Sequence, residues 1–516
     1  MSLDPVALSV LSSALSGVAD EMGAVLVRGA YSSNIKERRD CSAALFDARG
    51  RMVAQAEHIP VHLGAMPESV AAVIERGPRP GDVFALNDPF RGGTHLPDIT
   101  LVAPLSRGGE VVGYAVNRAH HSDVGGMTPG SMPAGSRTVF QEGLVIPPLR
   151  LLREGEEQAE ALELILANVR TPEIRRGDLR AQIASARVAQ ARLDELVERR
   201  GEETVLGAFE EVVAYAERRS REAVSALPDG RHEASGEIEG DGVSDEDIPL
   251  RVAVEIAGAA MTIDFQGSAE QVPGNVNCPL AVTRSACFFA LRVVLPKDIP
   301  ANAGAYAPLD IRAPEGSVVN ARPPAAVVAG NVETSQRLAD TVLRALARAL
   351  DVPAEGQGTM NNLIIGGEGW TYYETIGGGQ GASSHGPGPS GVHVGMSNTL
   401  NTPVEALELE YPMRVERSEL AYDTGGEGEH RGGDGVVRAV RVLEPATVSL
   451  ITDRRRHAPR GANGAGDGTP GENRLGDELL PAKATRELVA GDVVTVRTPG
   501  GGGWKAARPP ARSTPG

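Results

Sequence analysis

Cysteine and aromatic residues are scarce in this chain, and each scarcity removes a class of explanation. Three cysteines, Cys41, Cys278 and Cys287, are spread over 516 residues. They are odd in number and far apart, so they suit neither a disulfide framework nor a closed Cys-x-x-Cys zinc site, and a reducing cytoplasm is the expected compartment. Cys41 follows Asp40, but a nucleophilic thiol needs a base beside it, and a small buried apolar role is the simpler expectation. Aromatics make up 3 % of the residues, too few for a platform that stacks nucleic-acid bases. The formal charge of −17 argues against nucleic acid or an anionic membrane as the main partner. No apolar run reaches the roughly 18 residues that read as a membrane span; the run 286–295 is interrupted by Arg292. The opening MSLDPVALSV has no basic region and carries an early Asp, unlike a signal peptide. Neither G-x-x-x-x-G-K-[ST] nor G-x-S-x-G occurs, so nucleotide binding and a serine nucleophile elbow have no direct support. The glycine runs 377–381 and 500–503 are therefore expected to serve tight turns. No fixed-period repeat is present.

What is there reads as mixed α-β, an α+β class of chain with several domains, β-rich, with a long N-terminal helix and a central helical segment. Asp4-Pro5 fits an N-cap followed by Pro at the first helical position. Val6, Leu8, Leu11, Leu15, Val18, Met22 and Val25 then recur at mostly helical spacing, giving a helix to about Arg28. Residues 43–46 and 52–55 read as strands around a turn at 47–50, and 83–86, 99–103 and 111–116 as further strands. From Glu156 to about Ala226 the chain is rich in Glu, Ala, Arg and Leu, a helical segment broken near Thr171-Pro172 and Gly201, its charge run a solvated helix face. Alternation at Val252, Val254, Ile256 and at Met261, Ile263, Phe265 marks strands; 334–350 reads as a helix; the Gly-rich chain after Gly356 suits an irregular, loop-heavy β region. The expected units are a metal-site region (1–153), a helical segment (154–228), an α/β region (229–355), a Gly-rich β region (356–505) and a disordered Pro/Ala/Arg-rich tail (506–516).

Two short His–carboxylate pairs carry the chemistry. The first is His95-Leu96-Pro97-Asp98 and the second His120-His121-Ser122-Asp123, each with a His three residues before an Asp. Half of the ten histidines, His58, His62, His95, His120 and His121, fall in this stretch. Neutral imidazole with carboxylate suits one divalent ion such as zinc, iron or manganese. Pro97 argues against a helical site, so these ligands belong on turns at strand ends, where rigid scaffolds place chemistry. The plain alternatives are capping or hydrogen-bonding residues on a loop, and core histidines for His58 and His62.

Longer stretches carry a resemblance. They include Glu37-Arg38-Arg39-Asp40-Cys41-Ser42, His58-Ile59-Pro60-Val61-His62-Leu63-Gly64, Asn87-Asp88-Pro89, Gly93-Thr94-His95-Leu96-Pro97-Asp98 and Ala119-His120-His121-Ser122-Asp123. Gln141-Glu142-Gly143, Tyr373-Glu374-Thr375, Asn401-Thr402-Pro403 and Arg431-Gly432-Gly433 continue them. On these residues the chain resembles the hydantoinase B/oxoprolinase family, which includes N-methylhydantoinase B subunits and the large subunit of acetone carboxylase, from about residue 4 to about 504. It departs at the end: the family's glycine run continues with Tyr-Gly-Asp-Pro, whereas Trp504-Lys505-Ala506 follows here.

The resemblance implies the metal-bearing B-type subunit of a two-component, ATP-dependent enzyme, assembled as a hetero-oligomer with an A-type subunit. The partner binds ATP and phosphorylates the carbonyl oxygen of a small cyclic amide, and water then opens the ring. It makes His95, Asp98 and His120 the ligand positions, with Asp40 as a fourth. Glu142 and Asp123 become candidates for proton transfer or for orienting an imidazole, and His58, His62 and His121 candidates for the substrate pocket. The other readings are a carboxylase subunit of acetone-carboxylase type, a non-catalytic scaffold whose metal holds loops together, and a two-His-one-carboxylate iron oxygenase.

Overall fold

The computed structural model describes residues 4–56 and 59–506. The first helix forms as expected, α1 (Pro5–Gly29), with the Asp4 carboxylate accepting from the N–H groups of Val6 and Ala7. By length and composition α1 is apolar enough to cross a bilayer. In the fold it is a core helix: Leu11, Leu15, Val18, Met22 and Leu26, at helical spacing, are buried.

A turn of helix, α2 (Ser33–Lys36), leads into the hairpin β1 (Cys41–Asp47) and β2 (Met52–Ala56). After α3 (Met66–Ile74) come β3 (Val83–Leu86), β4 (Asp98–Arg107), β5 (Glu110–His120), β6 (Leu149–Arg153) and β7 (Glu156–Glu157). These strands form one antiparallel sheet in the order β2-β1-β5-β4-β3-β6-β7. Gly108 and Gly109 join β4 to β5 with φ of +57° and +89°. A two-residue turn with both φ positive matches the twist of its strands, and glycine adopts it without strain.

Helices α4 (Ala159–Leu166), α5 (Pro172–Arg200) and α6 (Glu202–Ser225) break at Pro172 and Gly201, as the sequence suggests. They are a layer on the first sheet. Leu179, Ala189 and Leu193 of α5 share one core with Leu15, Met22, Leu45 and Leu101, so the expected boundary at 153/154 runs through a common interior. On the opposite face, Phe46, Phe84, Val102 and Val116 belong to a second core, built with the sheet β8 (Gly230–Glu239), β9 (Asp247–Ala257), β10 (Ala260–Asp264) and β11 (Leu309–Arg312) and with α7 (Leu280–Val294), α8 (Ala303–Tyr306) and α9 (Ser335–Leu346). Helix α9 is shorter than expected and is entered through a π-helical turn, Gly330–Thr334.

The C-terminal region is more regular than its glycine content suggests. From β12 (Asn362–Gly367) and β13 (Trp370–Thr375) onward it forms sheets of four and five strands around Leu363, Tyr372, Val440, Leu450 and Val494. The glycine runs are not turns. None of residues 377–381 or 500–503 has a positive φ, and the segments lie backbone against backbone. A Cβ on Gly379 would stand 2.1 Å from the Gly433 oxygen, and one on Gly501 2.1 Å from the Gln380 oxygen. Close approach is what these glycines provide. The expected tail beyond residue 506 lies outside the described residues.

Asn87, buried just after β3, ties the segment before β4 in place. Its amide donates to the carbonyls of Leu96 (2.7 Å) and Leu144 (3.0 Å), and its oxygen accepts from Ile146 N–H at 2.6 Å. Asn87→Leu leaves all three backbone groups unpaired and is expected to lower stability by about 2–4 kcal/mol. Urea denaturation measures this; an unchanged midpoint would show that the tethers carry no net stability.

Candidate metal centre

The hairpin of β4 and β5 brings the ligand candidates together. Asp98 opens β4 and His120 closes β5, and the two are cross-strand partners. His95 precedes Pro97 on the turn that enters β4 and folds back over Asp98. Nε2 of His95 and Nδ1 of His120 each lie 3.1 Å from Asp98 Oδ1 and 3.2 Å from one another. All three residues are buried.

Hydrogen bonding alone explains this triangle poorly. His95 Nδ1 sits 3.3 Å from the Val328 carbonyl, which can only accept. In the neutral ring that puts the proton on Nδ1 and turns the Nε2 lone pair toward Asp98 Oδ1, another lone-pair atom, so the contact is favourable only with a protonated imidazole or a shared cation. Donors bound about 2.0–2.2 Å from a divalent ion lie about 3–3.5 Å apart in tetrahedral or octahedral arrangements. The two imidazole nitrogens and one carboxylate oxygen fit such an ion in chemistry and spacing, and these three residues form the group able to hold a metal among the described residues. His120 Nε2 is buried with no hydrogen-bond partner among the described residues, a further sign of a polar pocket that protein atoms do not fill.

The surroundings hold the triangle still. Asp98 Oδ2 accepts from Thr94 Oγ1 at 2.6 Å and lies 3.5 Å from Asn331 Nδ2, which the π-helical turn presents. His62 Nε2 is 3.5 Å from the same oxygen, and His62 Nδ1 is 2.9 Å from Ser42 Oγ. Burial works to raise the Asp98 pKa, but the charge of His95 and the hydrogen bonds of His120, His62 and His95 outweigh it and hold the carboxyl well below its usual range. Burial lowers the His120 pKa, and Asp98 and Asp40 oppose the shift. The ring of Tyr373 stacks on His120 at 4.4 Å and 19°, and the buried Arg38 guanidinium lies 5.1 Å from the centre of the same ring.

Likeness to known proteins bears on this geometry. The sequence profile of the hydantoinase B/oxoprolinase family matches residues 4–506. The chain belongs to that family. An uncharacterised protein of Methanocaldococcus jannaschii is 40 % identical over 97 % of this chain and 91 % of its own length. The 5-oxoprolinase 1 of Arabidopsis thaliana is 39 % identical over 97 % of this chain but only 42 % of its own length, so the chain spans about two fifths of that enzyme. A putative D-/L-hydantoinase B-type subunit of a Pseudomonas species is 32 % identical over 97 % of this chain and 90 % of its own. Among solved structures, the ATP-dependent caprolactamase of Pseudomonas jessenii superposes with a TM-score of 0.91 at 28 % identity, covering 99 % of this chain and 93 % of that one. Nucleotide-free acetone carboxylase superposes at 0.87 with 19 % identity over 97 % of this chain and 76 % of that one, a likeness of fold.

The remaining sequence candidates fall in different places. Asp40 is buried beside the centre and outside the triangle: its carbonyl accepts from His120 N–H, and its carboxylate lies 3.4 Å from Asn34 Nδ2. Asp123, the partner of His120 in the second sequence pair, does not join it. Its carboxylate is filled by the N–H groups of Gly125, Gly130 and Arg170 and by the Arg170 guanidinium, so it clamps the loop after β5. His121, one residue out of phase with His120, points to the opposite face of the sheet and bonds Gln182 of α5 at 2.9 Å. Burial, followed by the charge of Arg175, lowers its pKa to about 4. His58 lies outside the described residues. Glu142 stands behind the centre. Its carboxylate accepts from Ser136 Oγ and from the N–H groups of Val327 and Val328 at 2.9–3.2 Å, and burial pushes its pKa up to about 7 against those donors. It anchors the peptide whose carbonyl fixes His95. Ser42 and Tyr373 lie in the stretches that carry the resemblance, yet no local pattern marks either as a neighbour of the centre.

These placements separate the carboxylates experimentally. His95→Ala and His120→Ala should each lose bound metal, measured by elemental analysis of the folded protein. Asp123→Asn should keep metal and lose thermal stability. Glu142→Gln should keep the fold and weaken metal affinity by about 10- to 100-fold, as loss of a group that orients a ligand usually does. Full occupancy in a folded His95→Ala/His120→Ala double variant would remove the centre.

Proposed function

We propose that this chain is the metal-bearing component of an ATP-dependent hydrolase of cyclic amides, working in the cytoplasm with a separate A-type subunit that binds ATP. The observation that carries this reading is the buried His95/Asp98/His120 triangle, in a family whose relatives bear the names of 5-oxoprolinases and of a hydantoinase B-type subunit. The likeness to a caprolactamase described as ATP-dependent supports it, and so does the lack of a phosphate-loop signature here, which leaves nucleotide handling to another polypeptide.

The chemistry asks for such a division. An amide is resonance-stabilised and its nitrogen is a poor leaving group; a phosphoryl group on the oxygen makes the carbon electrophilic. Water can then add, the C–N bond break with the nitrogen leaving as the amine, and a second water release inorganic phosphate from the acyl phosphate that remains. His95, Asp98 and His120 would hold one divalent ion: zinc, manganese or iron. When bound, it supplies Lewis acidity that polarises an oxygen for reaction. Val328 keeps the His95 proton on Nδ1, Glu142 keeps Val328 in place, and the Tyr373 ring bars His120 from rotating. Glu142 and Asp123 are positioning residues in this scheme, because every near neighbour of each carboxylate is a structural donor.

His62 links the centre to a cavity of about 290 Å³ whose inner wall includes Ser42, Gln55 and Met66. A largely apolar chamber whose polar groups are the amides of Gln55 and Asn398, the hydroxyls of Ser42 and Tyr306, His62 and the cation Arg292 suits a small ring that carries a polar amide. It also favours catalysis over a scaffold role, since a metal that only ties loops together needs no chamber beside it. Hydrolysis is preferred to carboxylation because the likeness to acetone carboxylase is one of fold.

With its A-type subunit and ATP, the chain should open a cyclic amide; alone, it should neither do so nor bind ATP at micromolar concentration. His95→Ala should lower product formed per ATP consumed by about 10² or more, the scale of losing a main electrostatic contributor. Ring opening by the isolated chain without ATP, or wild-type coupling in His95→Ala, would overturn the proposal.

A further inference from the structure

The 290 Å³ chamber lies between β1, β2, the residues entering α3, and α7. Its floor is fully interior: Ser42 and His62 are each 2 % exposed and Met66 is 1 % exposed. Its outer lip is formed by the half-buried Phe289 and by Val293, 38 % exposed, one turn apart on α7. The same two side chains line a second, wider cleft of about 590 Å³, which runs along the end of α9 past Leu343 and Arg348 to Trp504. Phe289 and Val293 are thus a ridge shared by a larger cleft and a smaller chamber, and His62 on the wall of that chamber is 3.5 Å from Asp98.

The geometry points to one route, in which a compact single-ring substrate passes from the larger cleft over this ridge to the His62 side of the centre, and Phe289 sets the largest ring that is admitted. The inference rests on the function proposed above for what happens at the centre, but not for the existence of the route. The chamber's volume sits at the lower limit of ordinary small-molecule sites, roughly 300 Å³. Close-packed walls of Ile59, Leu63, Met66 and Phe289 leave little room to expand. Phe289 is the largest of these side chains and the one at the opening, so its size bears most directly on what enters.

A thiol placed in the chamber reports the route without any turnover. The three native thiols are buried, and burial raises the pKa of each, Cys41 and Cys278 to about 12, so they react slowly with alkylating reagents. Ala56 is 3 % exposed and lines the chamber. In the full chain carrying Ala56→Cys, alkylation is followed with iodoacetamide and with its bulky fluorescein conjugate, which share one electrophile. The expected result is prompt reaction with the small reagent and at least ten-fold discrimination against the large one. Adding Phe289→Ala should reduce that discrimination by ten-fold or more, and Phe289→Trp should slow both reagents. If Phe289→Trp does not fold, Val293→Trp on the same ridge takes its place. An introduced thiol that is inert to iodoacetamide, or whose discrimination between reagents is unchanged by Phe289→Ala, overturns the route.

A second arm uses the complex with the A-type subunit and ATP, and lactams of five to eight ring atoms. Phe289→Ala should move relative kcat/KM toward the larger rings by at least ten-fold; an unchanged order of preference overturns Phe289 as the size determinant. If labelling follows the ridge as described but no lactam is opened by any variant, the route stands and the proposed function fails.

Discussion

Asp98 stands opposite His120 because the hairpin that carries them both closes on two glycines in left-handed conformation and then shifts its register by one residue at a bulge between Leu105 and Ser106. A strand has a side-chain period of two, so a slip of one residue in that pairing would send Asp98 to the α5 face and leave His120 facing the second core alone. The pairing is held from both sides. β1 pairs with β5 up to Ala119, and Asp40 extends the ladder by accepting from His120 N–H. β3 pairs with β4, and Asn87 at its end pins the turn that carries His95. A turn and a bulge at one end of the hairpin thus set which side chains meet at the other, and the rest of the first sheet serves to keep the register from drifting.

The centre is also a problem of buried charge. Asp98 is 1 % exposed and its carboxyl is held well below its usual range by the surrounding imidazoles, in a place where an uncompensated carboxylate is strongly disfavoured. Its nearest partners are imidazoles, which offset that charge only if they carry extra protons or share a cation. Arg118, fully buried, helps from behind: its Nε donates to Thr100 Oγ1, and Asp98 and Glu68 oppose the fall in its pKa that burial causes. A divalent ion at the triangle resolves the balance more completely, because it meets the lone pairs of both histidines and the carboxylate at once. Metal affinity and stability are therefore expected to be linked here, as they are wherever ligands converge only in the folded state.

The triangle of His95, Asp98 and His120 was legible in the sequence because His and Asp recur there at short spacing on turns flanking strands. That same spacing misleads at Asp123. His120-x-x-Asp123 copies His95-x-x-Asp98 in writing, but the first pair bends back at Pro97 whereas the second runs out of β5 into a loop that needs its carboxylate as a clamp. Helices α1, α5 and α6 announced themselves by periodicity and by their Pro and Gly breaks. The layering of α5 and α6 on the first sheet did not, since composition marks a helix and not what covers it. The glycine runs suggested turns, yet they pack as extended chains, because a lack of side chains permits close approach as readily as it permits a positive φ. Ser42, Tyr373 and the Val328 carbonyl reach the centre from elsewhere in the chain, and no local pattern encodes such contacts.

Such dispersion shapes how the centre works. Its three candidate ligands lie within one turn and one hairpin, but the groups that orient them come from α2, the segment before α3, the π-helical turn and β13. A ligand set so local could bind metal loosely in a partly folded chain. The imidazole of His95 is held in one tautomer only when Glu142 has seated Val328, and His120 is held against rotation only when β13 has docked Tyr373. The second core and the C-terminal sheets must therefore form before the ligands are rigid. Rigidity is what distinguishes a site able to bias one transition state from one that merely binds an ion. In this chain the three side chains of the triangle are local and the groups that hold them still are dispersed, which is why residues far from 95–120 in sequence bear on its geometry.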